Sequence, residues 1–259
     1  MCANSNSPIL TIEELYLSFG GLMALRGVTF EVEQGSISAL IGPNGSGKTC
    51  VLNCINRFYL PQRGKIKFDG NDISRATSQR VAHLGVARTF QNIALFKEMS
   101  VLENIKVGRH MFMKSGLISG GVYFGKACKE EVRERKFIEE EIIEVLKLES
   151  IRDSLVGILP YGKQKMVELA RALALHPKLL LLDEPSAGMN QEETEDIIRY
   201  ILDIKHLWSI TILLVEHNIE VVADICENCC VLNFGEVIAM GSPRNIQKDE
   251  NVIKAYIGE

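Results

Sequence analysis

The chain has 259 residues, of which 46% are hydrophobic and 24% charged, with 29 Lys and Arg against 33 Asp and Glu. That apolar share supports a large core and excludes a disordered chain. The formal net charge of -4 lacks the basic footprint of a general nucleic-acid binder, so no nucleic-acid partner is expected.

The length fits one domain with a sizeable insertion, or two closely joined lobes. No apolar run reaches the roughly 18 residues that a membrane-spanning helix needs. Met1-Cys2-Ala3-Asn4 has neither a basic stretch nor a following apolar core, so no signal peptide is expected and the chain should fold in the cytosol. Seven cysteines are present, and Cys226-x-x-Cys229 has a metal or redox spacing. No second matching pair or nearby histidine accompanies it, so buried thiols are expected.

Residues 9–17 alternate loosely between apolar and polar, which predicts a strand. Phe19-Gly20-Gly21 turns the chain, Leu25–Val32 gives a second strand, and Glu33-Gln34-Gly35 turns it again. These two antiparallel strands should form a side sheet. Ile37–Ile41 is apolar apart from Ser38 and runs straight into Gly42-Pro43-Asn44-Gly45-Ser46-Gly47-Lys48-Thr49-Cys50. Val51–Ile55 resumes an apolar pattern, so the order is strand, glycine-rich turn, helix. The spacing G-x-x-x-x-G-K-[ST] is that of a phosphate-binding loop. Turned backbone through Asn44, Gly45, Ser46 and Gly47 can aim several N–H groups at one anion, and the helix starting near Gly47 adds its positive end. Lys48 would reach the outer phosphates, and the Thr49 hydroxyl would ligate Mg2+.

Gly64–Gly70 predicts another short strand, and Val86–Phe90 a strand that runs into Gln91. Helix begins near Met99–Ile105, where Ser100 and Glu103 have the spacing of a capping box. Gly116–Gly125 holds four glycines and breaks regular structure. A charged helix is expected over Lys129–Leu148, with Val132, Ile138, Ile142, Val145 and Leu146 on one face. Residues 92–165 therefore read as a mostly helical insertion. A helix after Leu159-Pro160-Tyr161-Gly162 ends at Pro177. Leu179–Leu182 is a fully apolar strand closed by Asp183-Glu184, as suits the centre of a parallel sheet. A helix over Glu192–Leu207, a strand over Ile210–Val215 ending in Glu216-His217, a helix over Ile219–Ile225, strands at Cys229–Phe234 and Val237–Ala239, and a helix over Asn251–Ile257 complete an α/β fold.

Asp183 can meet the Mg2+ held by Thr49. Adjacent side chains on a strand point different ways, which leaves Glu184 to orient an attacking water and accept its proton. His217 and Gln91 share the same sheet edge, where ligands of open α/β sheets lie. His217 would hydrogen-bond the terminal phosphate or the water, and the Gln91 amide oxygen would join the Mg2+ shell. For Phe19 two readings stand side by side: a plug on the side sheet, or a flat face for an adenine ring.

These motifs, in this order and over almost the whole chain, resemble the ATP-binding subunit of an ABC transporter. Gly42–Cys50 matches the Walker A loop, Gln91 the Q-loop, Leu180–Glu184 the Walker B strand, Ser186-Ala187-Gly188 the D-loop, His217 the switch histidine and Phe19 the adenine-stacking aromatic. The resemblance implies a P-loop NTPase core over residues 9–259, with a mostly parallel sheet, an antiparallel β side sheet and an inserted α-helical subdomain at 92–165. It also implies a second ATP-binding subunit whose bound ATP faces the signature segment, here Pro160, Tyr161, Gly162 and Lys163. Pro160 replaces the usual serine and supplies neither hydroxyl nor N–H. Cys50 stands where threonine or serine is common and is a weaker donor to the α-phosphate.

Phe19-Gly20-Gly21, Arg88-Thr89-Phe90-Gln91, Met99–Asn104 and the long insertion after Gly108 are most similar to the branched-chain amino acid importer type. That type implies membrane permease subunits as direct partners and an extracytoplasmic solute-binding protein as an indirect one. It places the subunit peripherally on the cytoplasmic face of the cell membrane, with ATP and Mg2+ as cofactors. An ATPase of another ABC transporter, serving urea, an amide, another amino acid or a lipid, and a non-transport ABC ATPase are the alternatives.

Overall fold

A computed structural model of the chain describes residues 8–91, 93–109 and 126–257, apart from the side chains of 126–131 and 257. In chain order the elements are β1 (Pro8–Phe19), β2 (Leu22–Glu33), β3 (Ile37–Ile41), α1 (Lys48–Ile55), β4 (Arg63–Phe68), β5 (Asn71–Asp72), α2 (Ser78–Leu84) and β6 (Val86–Arg88). Then come α3 (Val101–Arg109), α4 (Lys126–Phe137), α5 (Tyr161–Leu173), β7 (Leu179–Asp183) and α6 (Gln191–Trp208). The chain continues with β8 (Thr211–Val215), α7 (Ile219–Ile225), β9 (Asn228–Asn233), β10 (Glu236–Gly241), α8 (Pro243–Ile246) and α9 (Glu250–Ile257). The expected signal-peptide-free N-terminus and the glycine-rich 116–125 stretch lie outside the described residues. Among the described residues, no helix is long and apolar enough to cross a membrane.

The described residues divide into two compact units, one from 8–88, 178–185 and 201–257, the other from 89–91, 93–109, 126–177 and 186–200. The first unit holds both sheets. An antiparallel sheet has the order β2-β1-β4-β5, and a six-stranded sheet the order β10-β9-β3-β8-β7-β6. In the latter, β9, β3, β8, β7 and β6 run parallel and only β10 is antiparallel. Every residue of β3, β7 and β8 is buried, as strands covered on both faces must be.

The loose alternation of β1 has a local cause. Leu10 and Ile12 are buried, then Leu15 and Leu17, so the inward parity switches between residues 12 and 15. A bulge sits there in the pairing with β2, and Glu14 has a φ of 48°. The extra residue turns the second half of the strand over, so one sequence faces the core from both even and odd positions.

In the second unit, the predicted capping box forms at the start of α3. The Glu103 carboxylate accepts from the Ser100 N–H at 2.8 Å, and the Ser100 hydroxyl accepts from the Glu103 N–H at 3.2 Å. Asn104 is fully buried, and its amide binds the Phe96 N–H at 2.9 Å and the Phe96 carbonyl at 3.0 Å, which fixes the preceding loop. The helix expected over Lys129–Leu148 is not uniform. It is α-helical only to Phe137, then passes through a π-helical stretch at Ile138–Ile143. The wider turn re-phases the faces. Ile138, Ile142 and Leu146 are buried, whereas Val132, expected on the same face, is 62% exposed. Helices α2 and α8, absent from the sequence expectation, are short; α2 is marked only by its Thr77 cap and a left-handed Gly85.

Candidate functional site

The register of the parallel sheet brings the key strand ends of the first unit to one edge. Leu40 and Asp183 both pair with Val215, and Ile41 pairs with Val231. The chain leaves this edge at Gly42 after β3, at Glu184 after β7 and at Glu216 after β8, the place where open α/β sheets bind ligands. Gly42 has to be glycine for space as well as angle. Its φ is 146°, and a Cβ there would lie 2.0 Å from the Leu232 carbonyl oxygen of β9. Gly45 is different: its φ is 78°, but nothing lies within 4 Å of the Cβ position. A loop crowded at its root and open at its crest leaves room for a ligand against its backbone.

Lys48 opens α1 and is only 6% exposed. Its ammonium donates to the Gly42 carbonyl at 2.8 Å and the Pro43 carbonyl at 2.9 Å. An ammonium has three donors, so Lys48 can serve a phosphate while still anchored to the loop. Burial pushes its pKa down, and the Glu184 and Asp183 carboxylates push it back up. Both acids therefore act electrostatically on the loop lysine. The Ser46 hydroxyl is buried and finds no hydrogen-bond partner among the described residues, an orphan donor of the kind an anion satisfies. Asn44, Gly45 and Thr49 are exposed, and Cys50 is half-buried.

Asp183 is 1% exposed and forms a buried ion pair with Arg88. Arg88 Nη2 donates to Asp183 Oδ2 at 2.8 Å, and Nη1 donates to the Asn53 side chain on α1 at 2.6 Å. One guanidinium thus ties the end of β7 to the helix that follows the phosphate loop. Glu184 lies outside the strand, so, contrary to expectation, strand alternation does not set its direction relative to Asp183. The strand ends at Asp183, and Glu184 takes a left-handed φ of 49°, its N–H bonded to the Val215 carbonyl at 2.9 Å. That conformation is uncommon outside glycine and tends to occur at functional sites. The Thr49 hydroxyl and the Asp183 carboxylate are hard oxygen donors, a set that fits Mg2+.

Beyond β8, Glu216 is fully buried and its carboxylate accepts from the N–H groups of His217 at 3.1 Å and Asn218 at 3.4 Å. This shapes the loop and leaves the His217 side chain more than half exposed. Arg88 and Glu216 did not emerge as site residues from the sequence. A charged residue closing an otherwise apolar strand, and a carboxylate next to a histidine past a strand end, were the available signals. Phe19 ends β1 at 46% exposure, so it does not plug the side sheet.

In the second unit, Gln91 does not end a strand. β6 stops at Arg88 because the next backbone groups are bound by α5 instead of β7. The Glu168 carboxylate accepts from the Phe90 N–H at 3.1 Å, the Lys165 ammonium donates to the Gln91 carbonyl at 2.9 Å, and Arg171 donates to the Ala94 carbonyl at 2.6 Å. Burial pushes the Glu168 carboxyl up; the Phe90 N–H and Lys165 offset part of that.

Pro160 is the N-cap of α5, and the first intrahelical bond runs from the Gln164 N–H to its carbonyl at 3.0 Å. The N–H groups of Tyr161, Gly162 and Lys163 precede that bond and remain as donors at the positive helix end. Tyr161 lies along the loop at Gly188, where a Cβ would meet its ring at 3.2 Å. Gly162 is buried under Glu193, whose carboxylate oxygen is 2.3 Å from the Cβ position.

The sequence pattern of the family described as "ABC transporter" matches residues 25–187. The chain is 38% identical over 252 residues to the high-affinity branched-chain amino acid transport ATP-binding protein BraF of Pseudomonas aeruginosa, spanning 97% of this chain and 98% of that one. It is likewise 38% identical over 256 residues to the corresponding LivG of Escherichia coli, spanning 98% and 99%. Among solved structures, the ADP conformation of an ATP-binding cassette of an ABC transporter superposes with a TM-score of 0.84 at 34% identity, covering 98% of this chain and 100% of that one. With the family pattern matched over residues 25–187 and relatives 38% identical over nearly their full length, the chain belongs to the ABC transporter family.

Proposed function

We propose that this chain is the ATP-hydrolysing subunit of an importer of branched-chain amino acids. It works with membrane permease subunits and a second ATP-binding subunit, on the cytoplasmic face of the membrane, and a solute-binding protein on the far side delivers the cargo. The observation that carries this is the meeting of the Gly42–Lys48 loop with Asp183 and Glu184, at the end of β7, at one edge of the parallel sheet. Full-length likeness to amino acid transport subunits supports the substrate class.

In this mechanism Asn44, Gly45, Ser46, Gly47 and Cys50 bind the phosphates through the loop backbone and side chains, and Lys48 neutralises the outer ones. Phe19 stacks on the adenine. Thr49 and Asp183, with Gln91, would hold Mg2+, and the ion would supply charge neutralisation for the transferring phosphoryl group. Glu184 orients the attacking water and takes its proton, and His217 hydrogen-bonds the terminal phosphate. Pro160, Tyr161, Gly162 and Lys163 meet the ATP held by the other subunit. The helical insertion over 92–165 takes hold of the permease.

Glu184→Gln should keep ATP binding and lose most turnover, whereas Lys48→Ala should lose both, measured as nucleotide affinity and ATPase rate of the complex with its permeases. Full turnover in Glu184→Gln would remove Glu184 from the water-activating role. Leucine uptake by vesicles carrying that complex tests the cargo.

A further inference from the structure

The ring that ends β1 sits on an exposed hairpin tip. Phe19 pairs with Leu22 across Gly20-Gly21, and Phe19, Leu22 and Met23 are 46%, 70% and 45% exposed. On its other side, β1 loses its strand partner early: the register with β4 ends at Tyr16 and Arg63. A tip supported by one strand alone would fray, and a fraying tip would hold a flat ring poorly.

The segment between α1 and β4 supplies the missing support. The Gln62 N–H donates to the Tyr16 carbonyl at 3.0 Å, closing the ladder. The Gln62 side chain then carries the ladder further. Its Oε1 accepts from the Ser18 N–H at 2.9 Å, and its Nε2 donates to the Ser18 carbonyl at 3.1 Å. A primary amide carries the same donor and acceptor as a peptide unit, so Gln62 acts as an extra strand residue beside Ser18. One residue further on, the Tyr59 ring meets the Phe19 ring edge-on, with centroids 5.0 Å apart and planes at 74°. That geometry suits the aromatic quadrupoles and fixes a ring plane. The same segment hangs from α1: the Asn56 N–H binds the Leu52 carbonyl at 3.0 Å, the Arg57 N–H binds the Cys54 carbonyl at 3.2 Å, and the Tyr59 N–H binds the Asn53 carbonyl at 3.0 Å.

We propose that Gln62 and Tyr59 are positioning residues for the nucleobase: they hold the Phe19 ring at a fixed offset from the helix that carries the phosphate loop. The inference rests on the assignment of Phe19 as the base-stacking residue. Its consequence is a division of labour in affinity. Loosening the segment weakens binding through the base and leaves binding through the phosphates alone.

The test is isothermal titration of the full-length chain with ADP and with pyrophosphate. The ratio of the two dissociation constants isolates what the nucleoside adds. Phe19→Ala sets the floor of that ratio. Gln62→Ala and Tyr59→Ala should each weaken ADP about threefold to tenfold, while pyrophosphate stays within twofold of the unmodified chain. Tyr59→Phe keeps the ring edge and should retain the original ratio. If Phe19→Ala collapses the ratio but Gln62→Ala and Tyr59→Ala leave it intact, the positioning role is wrong and Phe19 keeps its assignment. If Phe19→Ala leaves the ratio unchanged, the assignment of Phe19 fails and takes the inference with it. Equal weakening of both ligands by Gln62→Ala would mark a general loss of structure and would also overturn it.

Discussion

Replacing Arg88 with methionine removes a guanidinium and keeps most of its apolar stem. The guanidinium lies 2.8 Å from Asp183, with side-chain exposures of 5% and 1%. At an effective dielectric constant of about 20, two unit charges at that separation attract by roughly 6 kcal/mol. Desolvation of two buried ions consumes several kcal/mol for each, so the intact pair adds little net stability. Breaking it is another matter, because a buried carboxylate then loses the cation hydrogen-bonded to it. Arg88→Met should cost about 3–5 kcal/mol, a large share of the roughly 5–15 kcal/mol that holds a native protein together. Asp183→Asn removes the charge from the other side. The double variant should therefore lose clearly less than the sum of the two single changes. Urea unfolding of the four proteins at one pH gives all the terms. A cost under about 1 kcal/mol for Arg88→Met, or strict additivity in the cycle, would show that Asp183 does not depend on this pair.

Two further outcomes can be checked on the isolated chain. Burial pushes the thiols of Cys229, Cys230 and Cys54 up to about 11, 12 and 12, and raises Cys226 as well. At pH 8 a thiol with a pKa near 12 is thiolate at a level on the order of 10⁻⁴. Iodoacetamide should therefore leave these four cysteines unlabelled until urea is added, as read by peptide mass spectrometry; rapid labelling of the native chain at Cys226 or Cys229 would reopen a reactive role for the pair. The second outcome concerns the cap of α3. The Ser100 N–H, then its hydroxyl, holds the Glu103 carboxyl below the usual carboxylate range. A depressed folded pKa adds stability above the unfolded value, and that stability is lost as the pH falls through the folded one. Glu103→Gln should consequently unfold earlier in urea than the unmodified chain at pH 7, with the gap closing as the pH falls below the ordinary glutamate range. Ser100→Ala should cost about 1 kcal/mol at pH 7. An equal Glu103→Gln gap at pH 7 and below the glutamate range would argue against the ionised cap.

The parts legible in the sequence were those fixed by short-range chemistry. Ile37–Ile41 appears as β3 with the same bounds because an apolar run closed by Gly42 has one way to end. The Ser100–Glu103 box is likewise local. What escaped was decided by residues far apart in the chain. The strand expected to reach Phe90 stops at Arg88, since Lys165, Glu168 and Arg171 bind the backbone that follows. The parity switch in β1 needs the bulge at Glu14, and the exposure of Val132 follows from the π-helical turn at Ile138–Ile143. Arg88 itself was visible as part of Arg-Thr-Phe-Gln, but its use was not, because Asp183 lies 95 residues away.

Within the second unit, one helix gathers segments that the sequence keeps apart. The start of α5 presents Tyr161 to the loop at Gly188 and seats Gly162 under Glu193. Glu193 in turn belongs to a cap of its own, with the Asn190 N–H on its carboxylate at 3.1 Å and its own N–H on the Asn190 side chain at 2.9 Å. One to three turns further along, the same helix uses Lys165, Glu168 and Arg171 to hold backbone groups of Phe90, Gln91 and Ala94. Lys165 and Glu168 are 4% and 2% exposed, so their bonds are little weakened by competition with water. Losing the contacts with Phe90 and Gln91 would strip the buried Lys165 and Glu168 of those backbone partners and leave the 3.9 Å ion pair between them. Within this unit α5 is thus the common support of the backbone around Gln91, the Pro160–Lys163 turn and the 186–190 loop.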